Sequence, residues 1–394
     1  MTWRKFVNLD AVLSLFRKRS SLELPPRILF MTEGQTACSE LVTAPLIALA
    51  NQGKIRLTTV FEHDHRGRQL RRLARKQSDL LIVFRGSTRR GLKTLAAAKR
   101  AGKTTVWASD DDLLNLDSSN PVGGRYERSK VRSTMETMMK TADALWTFSP
   151  QMRQKYLEKG FQQVHYCHSI APFSDTALQC TAVHHQNPDL IRIGHIGDFS
   201  HANEMHNLVS AIQELSKASL SRKWVFEFVG YTPPELENHP NVRSVPYIKG
   251  IDNFHKWLRS ASWSIGIAPL RDTPFNRCKT DNKFRTFSGN GIAGIYTNIP
   301  PYSDSVVHEH TGLLCGDSPN EYAECLKRLI EDDGLRESIQ RKSHQVSSER
   351  YHPDAVATQY ESILCSLLNL PSLTSATNKC YSTENSNIEH KIGA

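Results

Sequence analysis

Short apolar runs alternate with stretches of helical periodicity along most of this 394-residue chain, and that alternation limits the folds open to it. Residues 27–31, 55–61, 80–84 and 104–108 read as strands bounded by turn residues, with helical patterns at 39–51, 68–76 and up to 101 between them. Helices at 129–142 and 150–159 surround two more short strands, 144–147 and 163–167. Parallel strands need a crossover connection, and a helix is the usual one, so strand–helix alternation predicts an α/β fold with a doubly wound parallel sheet.

The pattern stops and then restarts. Residues 173–190 are polar and broken by proline, and a new strand opens at 191–197, followed by a helix at 203–216 and strands at 224–229, 242–245, 265–268 and 292–296. Helices at 318–331 and 334–348 close the series. A chain of this length is too long for one compact core. We expect two Rossmann-like domains facing a cleft, at 25–172 and 191–369, joined by the linker 173–190. A Ser-, Thr- and Asn-rich tail, 370–394, is expected to be disordered.

Residues 1–24 read as an amphipathic helix with Phe6, Leu9, Leu13 and Phe16 on one face and basic residues at both ends. Either a peripheral membrane contact or packing on a protein surface would use it. The segment is too short and too basic for a secretory leader, and no run reaches the length of a bilayer span, so the chain is expected in the cytoplasm, including the inner membrane face. Eight scattered cysteines form no Cys-x-x-Cys pair. His63, His65, His184, His185, His308 and His310 lie in separate loops without helical ligand spacing, which argues against a metal site. The net charge of +10 suits anionic substrates or a membrane face. It carries no nucleic-acid-binding motif, so nucleic acid is the weaker partner reading.

Residues 265–314 hold the densest chemistry. An apolar strand is followed by a polar loop with Asn276, Arg277 and Cys278, then by Lys279 and Lys283 four residues apart at the expected mouth of a helix. Like charges so close repel unless an anion sits between them, and a helix N-terminus already favours one. A diphosphate meets that need. The turn Gly194–His201 also joins a strand to a helix, and its glycines let backbone N–H groups approach a phosphate. Asp110, Asp111 and Asp112 follow the strand 104–108 at the carboxyl edge of the sheet. They suit catalysis and acceptor contact, the binding of a divalent cation, or the capping of the next turn. Glu33 and Gly34 occupy the matching place after the first strand. No Gly-x-Ser-x-Gly elbow appears, so a serine hydrolase is not supported.

The run Phe275-Asn276-Arg277-Cys278-Lys279-Thr280-Asp281-Asn282-Lys283-Phe284, followed by Gly291-Ile292, resembles the sugar-nucleotide half of GT-B glycosyltransferases of the retaining "glycosyl transferases group 1" type, as found in bacterial polysaccharide clusters. The resemblance extends more weakly over residues 27–355. It departs from the broad family at Cys278 and Thr286, where two glutamates eight apart are usual. The resemblance implies transfer of a sugar from a nucleotide-diphosphate donor to the hydroxyl of a glycan or lipid-linked acceptor, with no metal or other cofactor. Donor contacts would come from Gly197, Asp198, His201, Asn276, Arg277, Lys279, Lys283, Tyr302 and Ser303, with Thr286 at the ribose position. The acceptor would meet Glu33 and Gly34, and Asp110, Asp111 and Asp112 would be the catalytic candidates. A non-catalytic nucleotide-sugar-binding or partner protein of the same fold is the alternative.

Overall fold

The computed structural model of the protein describes residues 24–116, 120, 123–173, 177 and 189–373. Apart from Leu24, the expected N-terminal helix lies outside these residues, as do most of the linker and residues 374–394.

The first sheet has strand order β2-β1-β3-β4-β5-β6, every pair parallel. Its strands are β1 (Arg27–Thr32), β2 (Arg56–Phe61), β3 (Leu80–Phe84), β4 (Thr104–Ser109), β5 (Ala144–Thr147) and β6 (Val164–Tyr166). Five helices accompany them: α1 (Ala37–Asn51), α2 (Gly67–Lys76), α3 (Arg89–Arg100), α4 (Ser129–Thr141) and α5 (Pro150–Glu158). Alternate residues of β1 serve opposite faces of the sheet. Leu29 and Met31 pack with Leu70 of α2, Leu95 of α3 and Met138 of α4, whereas Ile28 and Phe30 pack with Val42 and Leu46 of α1.

The second sheet, β12-β11-β10-β7-β8-β9, is also wholly parallel. It comprises β7 (Leu190–Gly197), β8 (Lys223–Gly230), β9 (Val242–Val245), β10 (Ile265–Ala268), β11 (Ala293–Thr297) and β12 (Leu313–Cys315). Its helices are α6 (His206–Leu215), α7 (Ile251–Ala261), α8 (Asn282–Gly289), the single turn α9 (Tyr302–Ser305), α10 (Pro319–Glu331) and α11 (Asp333–Arg350). In each sheet the chain reverses its direction of strand addition at one point, between β1 and β3 and between β7 and β10. Parallel α/β sheets bind ligands at the carboxyl ends of the strands flanking such a point. Two Rossmann-like domains with these edges turned to a common cleft make the GT-B arrangement.

The domain boundary differs from the expectation. The last helix, α12 (Pro353–Leu368), leaves the second domain and packs on α1 of the first. Val356, Tyr360 and Leu364 join the first-domain core, and the Tyr360 hydroxyl donates to the Val42 carbonyl at 3.1 Å. Leu373, placed by the sequence reading in a disordered tail, is buried in the same cluster. The domains are thus tied by two crossings, the chain near Pro172 and the return into α12.

Candidate active site

Two adjoining cavities lie between the domains. One, of about 580 Å³, is lined by Gly197, Asp198, His201, Lys283 and Thr286 of the second domain and by Glu40 and Leu41 of the first. The other, of about 450 Å³, is lined by Asp198, His201, Lys279, Lys283 and Tyr302 on one side and by Arg85, Asp110, Asp111 and Arg125 on the other. Asp198, His201 and Lys283 border both.

The glycine turn is built by close approach. A Cβ at Gly197 would lie 2.8 Å from His195 Nε2. One at Gly230 (φ +96°) would lie 2.5 Å from the Gly197 carbonyl oxygen. Gly230 is required by its φ and by the neighbouring carbonyl, whereas a side chain at Gly197 would press on the buried His195 ring, and β7 and β8 end side by side. After Gly197 the chain forms a 3-10 turn, Phe199–Glu204, before α6 begins at His206, so the helix expected from residue 203 starts three residues later. The Asp198 carboxylate caps that turn by accepting from Ser200 N at 2.9 Å.

The lysines do not share one helix face. Helix α8 begins at Asn282, so Lys283 sits in its first turn while Lys279 stands on the loop before it. Both nevertheless reach the cleft. Lys279 Nζ lies 4.7 Å from the centre of the Phe275 ring, a cation–π contact. Burial and then the Lys279 charge push the Lys283 ammonium down to about 8. The Lys283 charge, followed by burial and Lys279, holds His201 well below the usual imidazole range, and burial brings His195 to about 3. Both imidazoles are therefore neutral at physiological pH, and the positive charge of this wall resides on the lysines.

The loop and the glycine turn are joined by Glu204. Its carboxylate accepts from Asn276 Nδ2 at 2.9 Å and from the backbone N–H of Arg271 at 2.5 Å. Asp281, the residue before α8, accepts from Arg285 Nε at 2.8 Å, from Ser305 Oγ at 2.8 Å and from the Tyr351 hydroxyl at 2.7 Å. These two carboxylates position the lysine-bearing segment from both ends.

Several candidates lie elsewhere. Asn276 is buried and braces the loop, without lining either cavity. Arg277 is exposed and paired bidentately with Asp272, at 2.5 and 2.6 Å. Ser303 is exposed and lines neither cavity. Cys278, at one of the two glutamate positions, packs into the first-domain core with Phe275, and burial pushes its thiol up to about 11. It therefore faces away from the donor side.

On the first domain Asp110 and Asp111 border the smaller cavity and Asp112 does not. Asp112 is wholly buried and accepts from Lys155 Nζ and Asn115 Nδ2, each at 2.5 Å. It begins a 3-10 turn without capping it through its side chain. This overturns the reading of Asp112 as a cleft carboxylate, because a paired ammonium beneath the sheet edge is a better place for its charge. Arg85 was not anticipated. It adopts φ +50°, rare for a non-glycine residue, and its guanidinium donates to Asp110 at 2.5 and 2.8 Å and to Asp111 at 2.6 Å. Although burial opposes it, Lys279 and Arg85 hold Asp111 below the usual carboxylate range. Glu33 accepts from Arg125 and Ser87, and Gly34 follows it with His63 nearby; neither lines the cavities. Arg85 directly follows β3, a position the sequence shows, but its positive φ and its two carboxylate partners do not show there; Arg125, sixteen residues past β4, carries no such signal.

Among the described residues, no group of three or more His, Cys, Asp or Glu side chains is arranged to hold a metal ion. The six described cysteines are free thiols. No described helix is long and apolar enough to cross a membrane.

A two-domain fold with this cleft is shared with solved structures. The Anabaena protein HepE, crystallised with UDP and glucose, superposes with a TM-score of 0.62 at 14% identity, over 86% of this chain and 100% of that one. Sucrose-phosphate synthase from Thermosynechococcus elongatus gives 0.62 at 14% identity, over 87% and 99%. A Listeria monocytogenes protein assigned as a UDP-N-acetylglucosamine 2-epimerase gives 0.54 at 12% identity, over 88% and 97%. These likenesses establish the GT-B fold. No curated protein sequence matches the chain. Residues 191–332, within the second domain, match the family model for Glycosyl transferases group 1.

Proposed function

We propose that the protein transfers a hexose from a nucleoside-diphosphate sugar, held by the second domain, to a hydroxyl group of a glycan or lipid-linked acceptor presented by the first. The observation that carries this reading is the convergence of Lys279, Lys283 and the Gly197 turn on one wall of the cleft, opposite Asp110 and Asp111. The family match within the second domain supports the transfer reaction. The crystallised complexes of HepE with UDP and with UDP-glucose support a nucleotide-sugar donor.

In this reading the diphosphate lies between the N–H groups after Gly197 and the ammonium groups of Lys279 and Lys283. Breaking the bond to the sugar builds negative charge on the leaving phosphate. Fixed cations in a cleft with little water lower that barrier by several kcal/mol, about 3 for a single well-placed donor. The nucleoside occupies the larger cavity, with Thr286 at the ribose. Asp111 orients the acceptor hydroxyl, its carboxylate kept ionised by Arg85. Retention at the anomeric carbon rests on the likeness of the 275–291 stretch to the retaining group.

The test is incubation with a panel of UDP- and GDP-sugars and acceptor extracts, following nucleotide release and the anomeric signal of the product. Sugar-dependent release of one nucleotide with an α-linked product from an α-donor supports the proposal. Nucleotide binding without turnover on any acceptor supports the non-catalytic alternative.

A further inference from the structure

The Lys and Arg residues carried by the first domain's helices lie on one side of its sheet. Helices α2 and α3 each carry five Lys or Arg residues and no Asp or Glu. Helices α1 and α12, on the opposite side, carry no Lys or Arg at all. The two basic helices pack against one another, with Leu70, Ala74, Leu95 and Ala98 turned to the sheet. Their outer surface presents Arg68, Arg72 and Arg75 beside Arg89, Lys93 and Arg100, all exposed. Among the described residues, no carboxylate forms an ion pair with any of these six, whereas neighbouring Lys99 and Lys103 are paired with Asp143 and Asp79. A folded domain gains no stability from massing unpaired like charges on one face, and self-repulsion works against it.

We infer that the α2–α3 face docks on an anionic lipid bilayer. Juxtamembrane basic groups are drawn to such a surface, and the face is built from two packed helices, about 15 and 18 Å long at the usual helical rise. Two observations select lipid over nucleic acid. The first is the composition of the stretch 1–23, which precedes the described residues. The Arg27 guanidinium donates to the Lys76 carbonyl at 3.0 Å, so the start of β1 lies beside the C-terminal end of α2. That N-terminal stretch has Trp3, Phe6, Leu9, Leu13 and Phe16 among Arg4, Lys5, Arg17, Lys18 and Arg19, a mixture that a headgroup boundary accepts on both counts. The second is the lack of a stacking platform: none of the exposed large apolar side chains lies on α2 or α3. Single-stranded nucleic-acid sites rely on such aromatic groups. The start of α3 also borders the cleft edge of the sheet, where Arg90 donates to the Glu62 carbonyl at 2.9 Å. A bilayer on this face therefore lies next to the cleft mouth. The inference does not depend on the transfer reaction.

The test is co-sedimentation of the full chain with vesicles of phosphatidylcholine alone and of phosphatidylcholine mixed with phosphatidylglycerol. Binding is expected only to the mixed vesicles and should weaken as salt is raised. Reversal of the face (Arg68→Glu, Arg72→Glu, Arg75→Glu, Arg89→Glu and Lys93→Glu) should lower partitioning by more than about tenfold. An equal reversal on the second domain at Lys217, Lys223, Lys256, Lys327 and Arg341, all exposed, should leave it near wild type. Thermal melting of both variants checks that they fold, and the corresponding Gln variants of the face should show a smaller loss of the same sign. Equal loss from both reversals, no preference for the anionic vesicles, or tighter binding to random duplex DNA than to the vesicles at the same salt would each overturn the inference.

Discussion

Arg85 donates to Asp111 at 2.6 Å while binding Asp110 through a second pair of contacts, so one guanidinium holds two adjacent carboxylates at the rim of the cleft. Replacing Arg85 with Ala leaves both acids partly buried without their cation. Breaking a buried pair in this way costs about 3–5 kcal/mol. Denaturant unfolding should show a loss of that order. Arg85→Lys should recover part of the stability but not the two-carboxylate geometry, because an ammonium lacks the planar fork.

Asp111→Asn separates acceptor chemistry from donor binding. Nucleotide affinity measured by calorimetry should stay within about threefold of wild type, since the residue belongs to the opposite domain. Turnover should fall by about 10²-fold or more, in line with loss of a positioned acid–base group. Equal loss of both would contradict the assignment of separate donor and acceptor walls. The carboxylate also makes a pH prediction. Its pKa is depressed in the folded protein, so its contribution to stability is present above the ordinary Asp range and disappears as pH falls through the lower, folded value.

Lys283 is strained electrostatically until an anion arrives. Its folded pKa of about 8 lies below the ordinary lysine value, so the unfolded chain binds more protons between about 8 and 10.5. Stability should therefore rise with pH across that window. Lys283→Met should stabilise the unliganded protein at neutral pH by about 1–3 kcal/mol while removing nucleotide affinity. A bound diphosphate favours the charged form, so binding near pH 8 should take up a proton. Calorimetry in buffers of different ionisation enthalpy reads that uptake directly.

Asp281 connects α8 to the rest of its domain through Arg285, Ser305 and Tyr351. Asp281→Ala should lower the melting temperature and weaken nucleotide binding together, because it frees the segment that carries both lysines. Loss of stability without loss of affinity would show that the lysine segment holds its place independently.

The two sheets were legible because parallel strands buried on both faces read as continuous apolar runs, such as 80–84 and 265–268, and parallel strands require helices between them. The return of α12 to the first domain was not. Its apolar stripe of Val356, Tyr360 and Leu364 shows that the helix has a buried side but not which of two sheets it covers. The cleft lysines could be singled out from their spacing near a helix start, although the one-turn gap between Lys279 and α8 could not. Three consecutive aspartates on an irregular turn carry no period, so only coordinates separate Asp112, turned in to Lys155, from Asp110 and Asp111. Arg277 was misplaced for a related reason: Asp272, five residues earlier, offers it a bidentate partner that the linear pattern does not reveal. Arg85 gave no signal as an arginine in a positive-φ conformation, a state that propensity reserves for other residues.

The central claim is that a diphosphate rests between the Gly197 turn and the two lysines. Crystals soaked with UDP or GDP test it directly. The account predicts phosphate density within hydrogen-bonding distance of Lys279 Nζ, Lys283 Nζ and the backbone N–H groups following Gly197, with the nucleoside extending past Thr286. Diphosphate density elsewhere, or a Lys279→Ala, Lys283→Ala double variant that binds the nucleotide as tightly as wild type, would contradict it.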